Sequence, residues 1–472
     1  MAFLFIKIKE MILMKLQDAF NETRTDNGDR AYNSTKNDYL DVIFSIEKLK
    51  KNPKETPVFL NKEKEFDRWF ARMVRDPRKI NGGMGQRELG RNLMNQVKTE
   101  PVDMLISGRA DDIFEAGWKL YKYNKLSKGG KYWEFLGKIL KRTENIKKSN
   151  DPEMKMALFN VTKWLPRVNG KTSEANNIKA RAFRDVIGLT ANQYQKAISN
   201  HDTVESILSR GEKVTNYETV PSLARLRHKT EFEKDPLYAV YMDKVSKGEA
   251  KIATGTMSVY DIAKNYYENN ISAMEADVFF NSLPKADLGK MIAIVDNSGS
   301  MYDSNKSFLK ARAVGHYIAK NTSYLTNHFI KFSDNAKLLK LGNNYESDME
   351  VLNSFRDVGS TNFGNVMDVL SRVTKDLPDY IVVLSDMQFN IGSADSKDEA
   401  MKILRKRNPN LKIVWWNFDV DKATAPETDE YGNIFMGGYN ANLLEFLEHG
   451  FDGIKFVKKL VKNYKDKIEK LQ

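Results

Sequence analysis

The sequence predicts an α plus α/β protein, in which an N-terminal α-helical array precedes a doubly wound, mostly parallel sheet. Three observations predict it. Apolar residues recur three and four apart from about Ser34 to Ser282, strands alternate with helices beyond about Pro284, and the first of those strands stops at an acid followed by hydroxyls. At 472 residues the chain exceeds one ordinary core, and 41% hydrophobic with 29% charged residues is the balance of a globular protein rather than a disordered one.

Residues 1–33 read as an N-terminal extension. The opening MAFLFIKIKEMILMKLQDAF is apolar, but Lys7, Lys9, Glu10 and Lys15 break it well short of the roughly 18 residues that a membrane span needs. No small-residue cleavage site follows, so neither a signal peptide nor an anchor is expected. The expected location is cytoplasmic, or within a virion should the chain be phage-encoded.

Residues 34–283 form the helical part. In SNDPEMKMALFNVTKWL, Asp151 is placed to cap, Pro152 occupies the first turn, and Met156, Leu158, Phe159, Val161 and Leu165 supply a buried stripe. Pro166 ends it. GLTANQYQKAIS repeats the pattern, with Thr190 as cap and Tyr194, Ala197 and Ile198 on one face. Successive helices with no strands between them predict an array of paired hairpins.

Residues 284–472 follow a different pattern. Met291–Val295 is a buried-strand run, and a helix from Ser304 or Asn305 reaches about Lys320. HFIKFSD and AKLLKLG read as strands, GSTN as a loop, and about Phe363–Thr374 as a helix. The strand YIVVLSD, the helix SKDEAMKILRKR, the strand KIVWWNFD and a last helix from Asn442 complete a parallel sheet covered on both faces. Trp415 and Trp416, adjacent in a strand, must face opposite sides and are assigned to the core.

Chemistry is bounded by what is missing. The chain has no cysteine, which excludes disulfides, thiolate metal sites and cysteine nucleophiles, and its five histidines show no metal-binding spacing. Any metal would be held by oxygen, which favours Mg2+, with Mn2+ or Ca2+ as alternatives. Net charge is +12, of which about +11 lies in residues 1–283, so an anionic partner is expected on the helical part.

Ligands of an open parallel sheet sit beyond the carboxyl ends of its strands. Three segments supply oxygen there: Asp296, Ser298 and Ser300 after the first strand, Thr361 in GSTNFG, and Asp386 after YIVVLS. In a tight loop alternate side chains can converge, and Gly299 removes the one that would crowd the centre. This set resembles the metal-ion-dependent adhesion site of von Willebrand factor A domains, with Asp-x-Ser-x-Ser, a distant Thr and a strand-end Asp in the family's order. The resemblance implies direct ligation by Ser298, Ser300 and Thr361, with Asp296 and Asp386 acting partly through water. It also implies a protein ligand that supplies a carboxylate to the metal. Asn362 departs from the acid common at that position in Ro relatives.

NGDRAYNSTKNDYLDVIFSI, RDPRKINGGMGQRELGRNLM, KWLPRVNGK and VPSLARLRHK resemble segments of the TROVE module of Ro autoantigens and their bacterial, plant and phage relatives. This resemblance implies HEAT-like helical hairpins that bind structured or single-stranded RNA. Read from the residues, Arg75, Arg78, Lys79 and Arg87 surround a glycine-rich turn suited to phosphate, and Arg167 and Lys171 open a second basic stretch with Lys179, Arg181 and Arg184. Arg225, Arg227, His228 and Lys229 form a third. Trp164, Tyr194 and Tyr217 are candidate stacking faces whose simpler assignment is core. The final helix is basic and amphipathic, and is read as solvated rather than membrane-bound. With no general base, nucleophile elbow or Walker loop in the sequence, the protein is expected to be a non-enzymatic RNA-binding ribonucleoprotein component. The alternative is a metal-dependent assembly or adhesion scaffold without RNA.

Overall fold

A computed structural model describes residues 21–469 apart from short stretches, the longest being 57–63 and 440–452. A helical region precedes a mixed, mostly parallel sheet. The chain divides into two compact units: Met1–Val58 with Pro221–Lys462, and Phe59–Val220 with Asn463–Gln472.

Among its described residues the second unit contains helices and no strand. Consecutive helices pack as hairpins, Lys64–Arg75 with Arg87–Gln96 and Ala110–Tyr123 with Gly130–Lys141. Their caps are the predicted ones: Asp151 accepts from the Glu153 and Met154 amides, and Thr190 forms a capping box with Gln193. The hairpin Ala110–Lys141 closes on Trp133, which is fully buried, stacks on Phe114 and Tyr121 at 5.9 and 5.1 Å, and donates its indole N–H to the Phe114 carbonyl. Gly117 must be glycine here, since a Cβ would lie 2.1 Å from the Trp133 ring. Asp112 is buried and accepts from two arginines, Arg75 at 2.7 Å and Arg91 at 2.6 Å, tying the two hairpins together.

The first unit holds the sheet. Two short strands, β1 (Glu22–Arg24) and β2 (Arg30–Tyr32), form an antiparallel hairpin. The main sheet comprises β3 (Met291–Asp296), β4 (His328–Phe332), β5 (Ala336–Lys340), β6 (Tyr380–Ser385), β7 (Lys412–Asn417) and β8 (Ile434–Gly437), in the order β5-β4-β3-β6-β7-β8. All neighbours are parallel except β4 and β5. β3 is buried along its whole length, as an interior strand with two covered faces must be. Trp415 and Trp416 are both fully buried on opposite faces, donating to Glu427 and to the Gly438 carbonyl.

Besides Met156 and Phe159, read as part of a buried stripe but 67% and 38% exposed, three features depart from the sequence reading. The pattern changes at residue 283, but the packing does not: Phe280 stacks on His316 at 4.3 Å and Asp277 accepts from the Tyr345 amide, joining helix Ala273–Asn281 to the sheet's own helices. The second is β8, which was not expected. It is four residues long and its edge is covered by helix Asp38–Phe44; a Cβ at Gly437 would lie 2.1 Å from the Phe44 carbonyl oxygen. Thirdly, residues 22–32, read as part of an extension, are the β1–β2 hairpin. The segments 1–20 and 440–452, with the expected start of the last helix at Asn442, lie outside the described residues.

Removing the carboxylate shared by Arg75 and Arg91 leaves the buried Arg75 guanidinium with only Asp111, at 3.9 Å. Asp112→Ala is expected to cost about 3–5 kcal/mol of the helical unit's stability, read from its urea unfolding transition.

Candidate metal site at the strand ends

β3 and β6 are adjacent and parallel, with Val295 opposite Leu384, so both strands deliver their last residues to the same sheet edge. Asp296 and Asp386 meet there, 0% and 5% exposed. Ser385 donates to Asp296 at 2.5 Å, and the Ser298 amide donates to the other Asp296 oxygen at 2.8 Å. The Ser298 and Ser300 hydroxyls lie 3.2 Å apart, and Ser300 is near enough to Asp386 to oppose the rise in its proton affinity.

Thr361 is brought in by its loop. The Gly299 amide donates to the Gly359 carbonyl, while Asn390, four residues beyond Asp386, exchanges bonds with the Thr361 backbone in both directions. Asp334 anchors the loop from below by accepting from the Ser360 amide, and Gly359 leaves room for that carboxylate, which a Cβ there would meet at 1.9 Å and displace. The Asp296–Ser300 turn is held by buried Arg312, which donates to Asn297 at 2.7 Å. The structure therefore places Asp296, Ser298, Ser300, Thr361 and Asp386 on three loops hydrogen-bonded to one another at one edge.

Burial raises the Asp296 carboxyl above the ordinary carboxylate range. Burial, then repulsion from Asp296, does the same to Asp386. No lysine or arginine among the described residues figures among the groups that set either one. Two carboxylates with hydroxyls and no nitrogen or sulfur donor suit a hard divalent cation, whose charge would relieve both effects. Among the described residues no group of three or more histidine, aspartate or glutamate side chains is arranged to hold a metal, so any ion here would rely on hydroxyls for part of its shell.

Ser385, Gln388 and Asp419 were missed by the sequence reading. Gln388 donates to Asp419 at 3.2 Å, and Asp419 follows β7 as Asp386 follows β6. The signal was present: each is a polar residue at the carboxyl end of an apolar strand run.

The basic residues proposed from sequence fare differently. Arg75 is 1% exposed and bound to Asp112, so it does not face a phosphate. The glycine-rich turn is a packing device: the Gly85 amide donates to the Asp76 carbonyl, and a Cβ at Gly83 would lie 2.3 Å from that oxygen. Arg87 is half exposed but paired with Asp111 at 2.8 Å. Arg167 is exposed, whereas Arg78, Lys79 and Lys171 lie outside the described residues. Tyr194 and Tyr217 are buried, and the Trp164 ring is covered by the Arg109 guanidinium at 3.8 Å.

A denser cationic surface lies between residues 117 and 142, which carry eight lysines and arginines and one carboxylate; Lys131 pairs with Glu100 at 2.5 Å and Lys138 with Glu134 at 2.7 Å. Lys119, Lys122, Lys125, Lys128, Lys131, Lys138, Lys141 and Arg142 are all exposed. Four of them, Lys128, Lys131, Lys138 and Lys141, line a groove of about 460 Å³ that runs along helix Gly130–Lys141 to Ile187 and also holds Glu134. Tyr123 and Leu126 project beside it, 94% and 87% exposed.

A family described as a domain of unknown function (DUF7788) matches residues 290–470. The chain is 22% identical to "Uncharacterized protein L728" of Acanthamoeba polyphaga mimivirus, over 90% of this chain and 84% of that protein. A solved structure, the Ro (RSR) protein of Deinococcus radiodurans, aligns over 89% of this chain and 90% of its own, with 13% identity and a TM-score of 0.34. No helix among the described residues is long and apolar enough to cross a membrane.

The carboxyl pair makes stability depend on pH. Both groups hold protons more tightly folded than unfolded, so their contribution is fully present below the ordinary pKa of 3.8 and is lost as the pH rises through the raised values. In chelator, Asp386→Asn is expected to be more heat-stable than the native chain at about pH 8, with the gap closing towards pH 5, as read by melting temperature.

Proposed function

We propose that the chain is a non-enzymatic, RNA-binding ribonucleoprotein component whose sheet unit takes a protein partner through a divalent metal ion. The observation that carries the RNA reading is the exposed cationic surface from Lys119 to Arg142. Lys131, Lys138 and Lys141 recur at helical spacing on one face of their helix, and Lys122, Lys125 and Lys128 line the turn before it. Such a surface tracks a phosphate backbone, and Tyr123 offers a ring for a base to stack on. The segments that resemble the TROVE module support the same reading.

The sheet unit supplies the second activity. Asp296, Ser298, Ser300, Thr361 and Asp386 would hold Mg2+, with Mn2+ or Ca2+ as substitutes. When bound, the ion supplies an electrophilic position for an incoming carboxylate. The chain's own groups orient that position: Ser385 fixes Asp296, Arg312 fixes the turn, and Asn390 fixes Thr361. No general base accompanies the set, which is why binding rather than hydrolysis is proposed. The runner-up is a metal-dependent assembly or adhesion scaffold without RNA, for which the likeness to a mimivirus protein along most of the chain supports a viral origin and no more.

Two experiments test the two halves. Asp296→Ala with Ser298→Ala is expected to abolish Mg2+ or Mn2+ uptake in calorimetric titration with the fold retained, and unchanged uptake would end the metal assignment. Reversing Lys122, Lys128 and Lys138 to Glu is expected to weaken RNA binding at least tenfold and flatten its salt dependence. Reversing Lys458, Lys459 and Lys462 on the last helix should have a much smaller effect. An equal effect would mean that net charge alone is at work, and RNA-free protein from the native host would favour the scaffold.

A further inference from the structure

The β1–β2 hairpin grips the segment that follows Asp386. Thr25 donates its hydroxyl to the Phe389 carbonyl at 2.7 Å, the Asp26 amide donates to the Gln388 side chain at 2.9 Å, and Asn27 donates to the Gln388 carbonyl at 2.6 Å. Gly28 pairs with Asn390 as an antiparallel bridge. Asp29, 4% exposed, accepts from the Gly392 and Ala394 amides at 3.1 and 2.9 Å, so a residue far away in sequence caps helix Ser393–Arg407. At the base of the hairpin, Tyr32 and Ala425 exchange both backbone bonds at 2.8 Å.

The gripped segment is the one that needs holding. Met387 sits between Asp386 and Gln388 with φ of 63°, a left-handed conformation that a side chain with a Cβ disfavours. The Met387 and Gln388 amides bond Ser385 and Asp386, Gln388 reaches Asp419, and the buried Phe389 ring packs on Phe363 and Trp415; the backbone carbonyls of Gln388 and Phe389 are held by the hairpin. Three residues later Asn390 carries the two bonds to Thr361. The segment Asp386–Asn390 thus joins two of the five candidate ligands, and the hairpin is bonded to three of its five residues.

We propose that the β1–β2 hairpin is a positioning element for the metal site, so that its docking and divalent-ion binding are reciprocally coupled. Asn27 and Asp29 are its positioning residues: they touch neither the ion nor its ligands' oxygens, and act by fixing the backbone that carries Asp386 and Thr361. Whatever displaces the hairpin loosens the ion, and binding of the ion tightens the hairpin, because coupling between two sites is symmetric in free energy. This inference rests on the metal-site reading above.

The test uses the full chain and Mn2+ alone. Asn27→Ala with Asp29→Ala is expected to weaken Mn2+ binding about tenfold in calorimetric titration, within the usual range of coupling. The same variant without metal should exchange amide hydrogens faster at Gln388–Asn390. In the native chain, saturating Mn2+ should slow exchange at residues 25–29. Native Mn2+ affinity in the variant, or exchange at 25–29 indifferent to Mn2+, overturns the coupling and leaves the metal site standing. Absence of Mn2+ uptake by the native chain overturns the metal reading itself, and the coupling with it.

Discussion

Two carboxylates buried at the ends of neighbouring parallel strands are the constraint around which the sheet unit is arranged. Parallel pairing of β3 with β6 sends both chain directions to one edge, so Asp296 and Asp386 arrive together. Burial and mutual repulsion make this costly, and the surrounding loops are built to bear it. Ser385, the Ser298 amide and the Gln388 amide each donate to one of the two carboxylates, and hydrogen bonding to the charged form opposes the rise in proton affinity.

The same need explains distant parts of the chain. Asp334 and Gly359 shape the Thr361 loop, Arg312 pins the first turn, and the β1–β2 hairpin braces the third loop from residues more than three hundred positions away. Stabilising contacts of this kind make sense where a local conformation is unfavourable on its own, as at Met387. The helical unit follows a different logic. Its buried charges are neutralised internally, as Asp112 is by Arg75 and Arg91, and its excess cations are gathered on the exposed hairpin around Lys128.

That contrast bears on how basic residues are read. Arg75 and the lysines of 119–141 look alike in a sequence, each within a helical pattern near glycines. Arg75 falls on the face that meets helix Arg87–Gln96, so close to Gly90 that a Cβ there would lie 2.5 Å from the Arg75 Cα. Lys131, Lys138 and Lys141 fall on the face opposite Trp133, Leu136 and Leu140, which are buried. A helical stripe marks the buried side, and the cations worth proposing as contacts are those on its far side.

By itself the sequence determined most kinds of element and their order, though not β1, β2 or β8: the caps at Asp151 and Thr190, the alternation of strands and helices, the burial of Trp415 and Trp416, and the five oxygen-bearing residues at strand and loop ends. These are local, because periodicity, capping and turn chemistry act over a few residues. Only the tertiary structure decided that Arg75 is internal, that β8 pairs with β7, that helix Ala273–Asn281 packs on the helices covering the sheet, and that Thr25–Asp29 brace the loop after Asp386. Each of these depends on a partner remote along the chain, and a hydrogen bond or aromatic stack between distant residues leaves no periodic trace at either end.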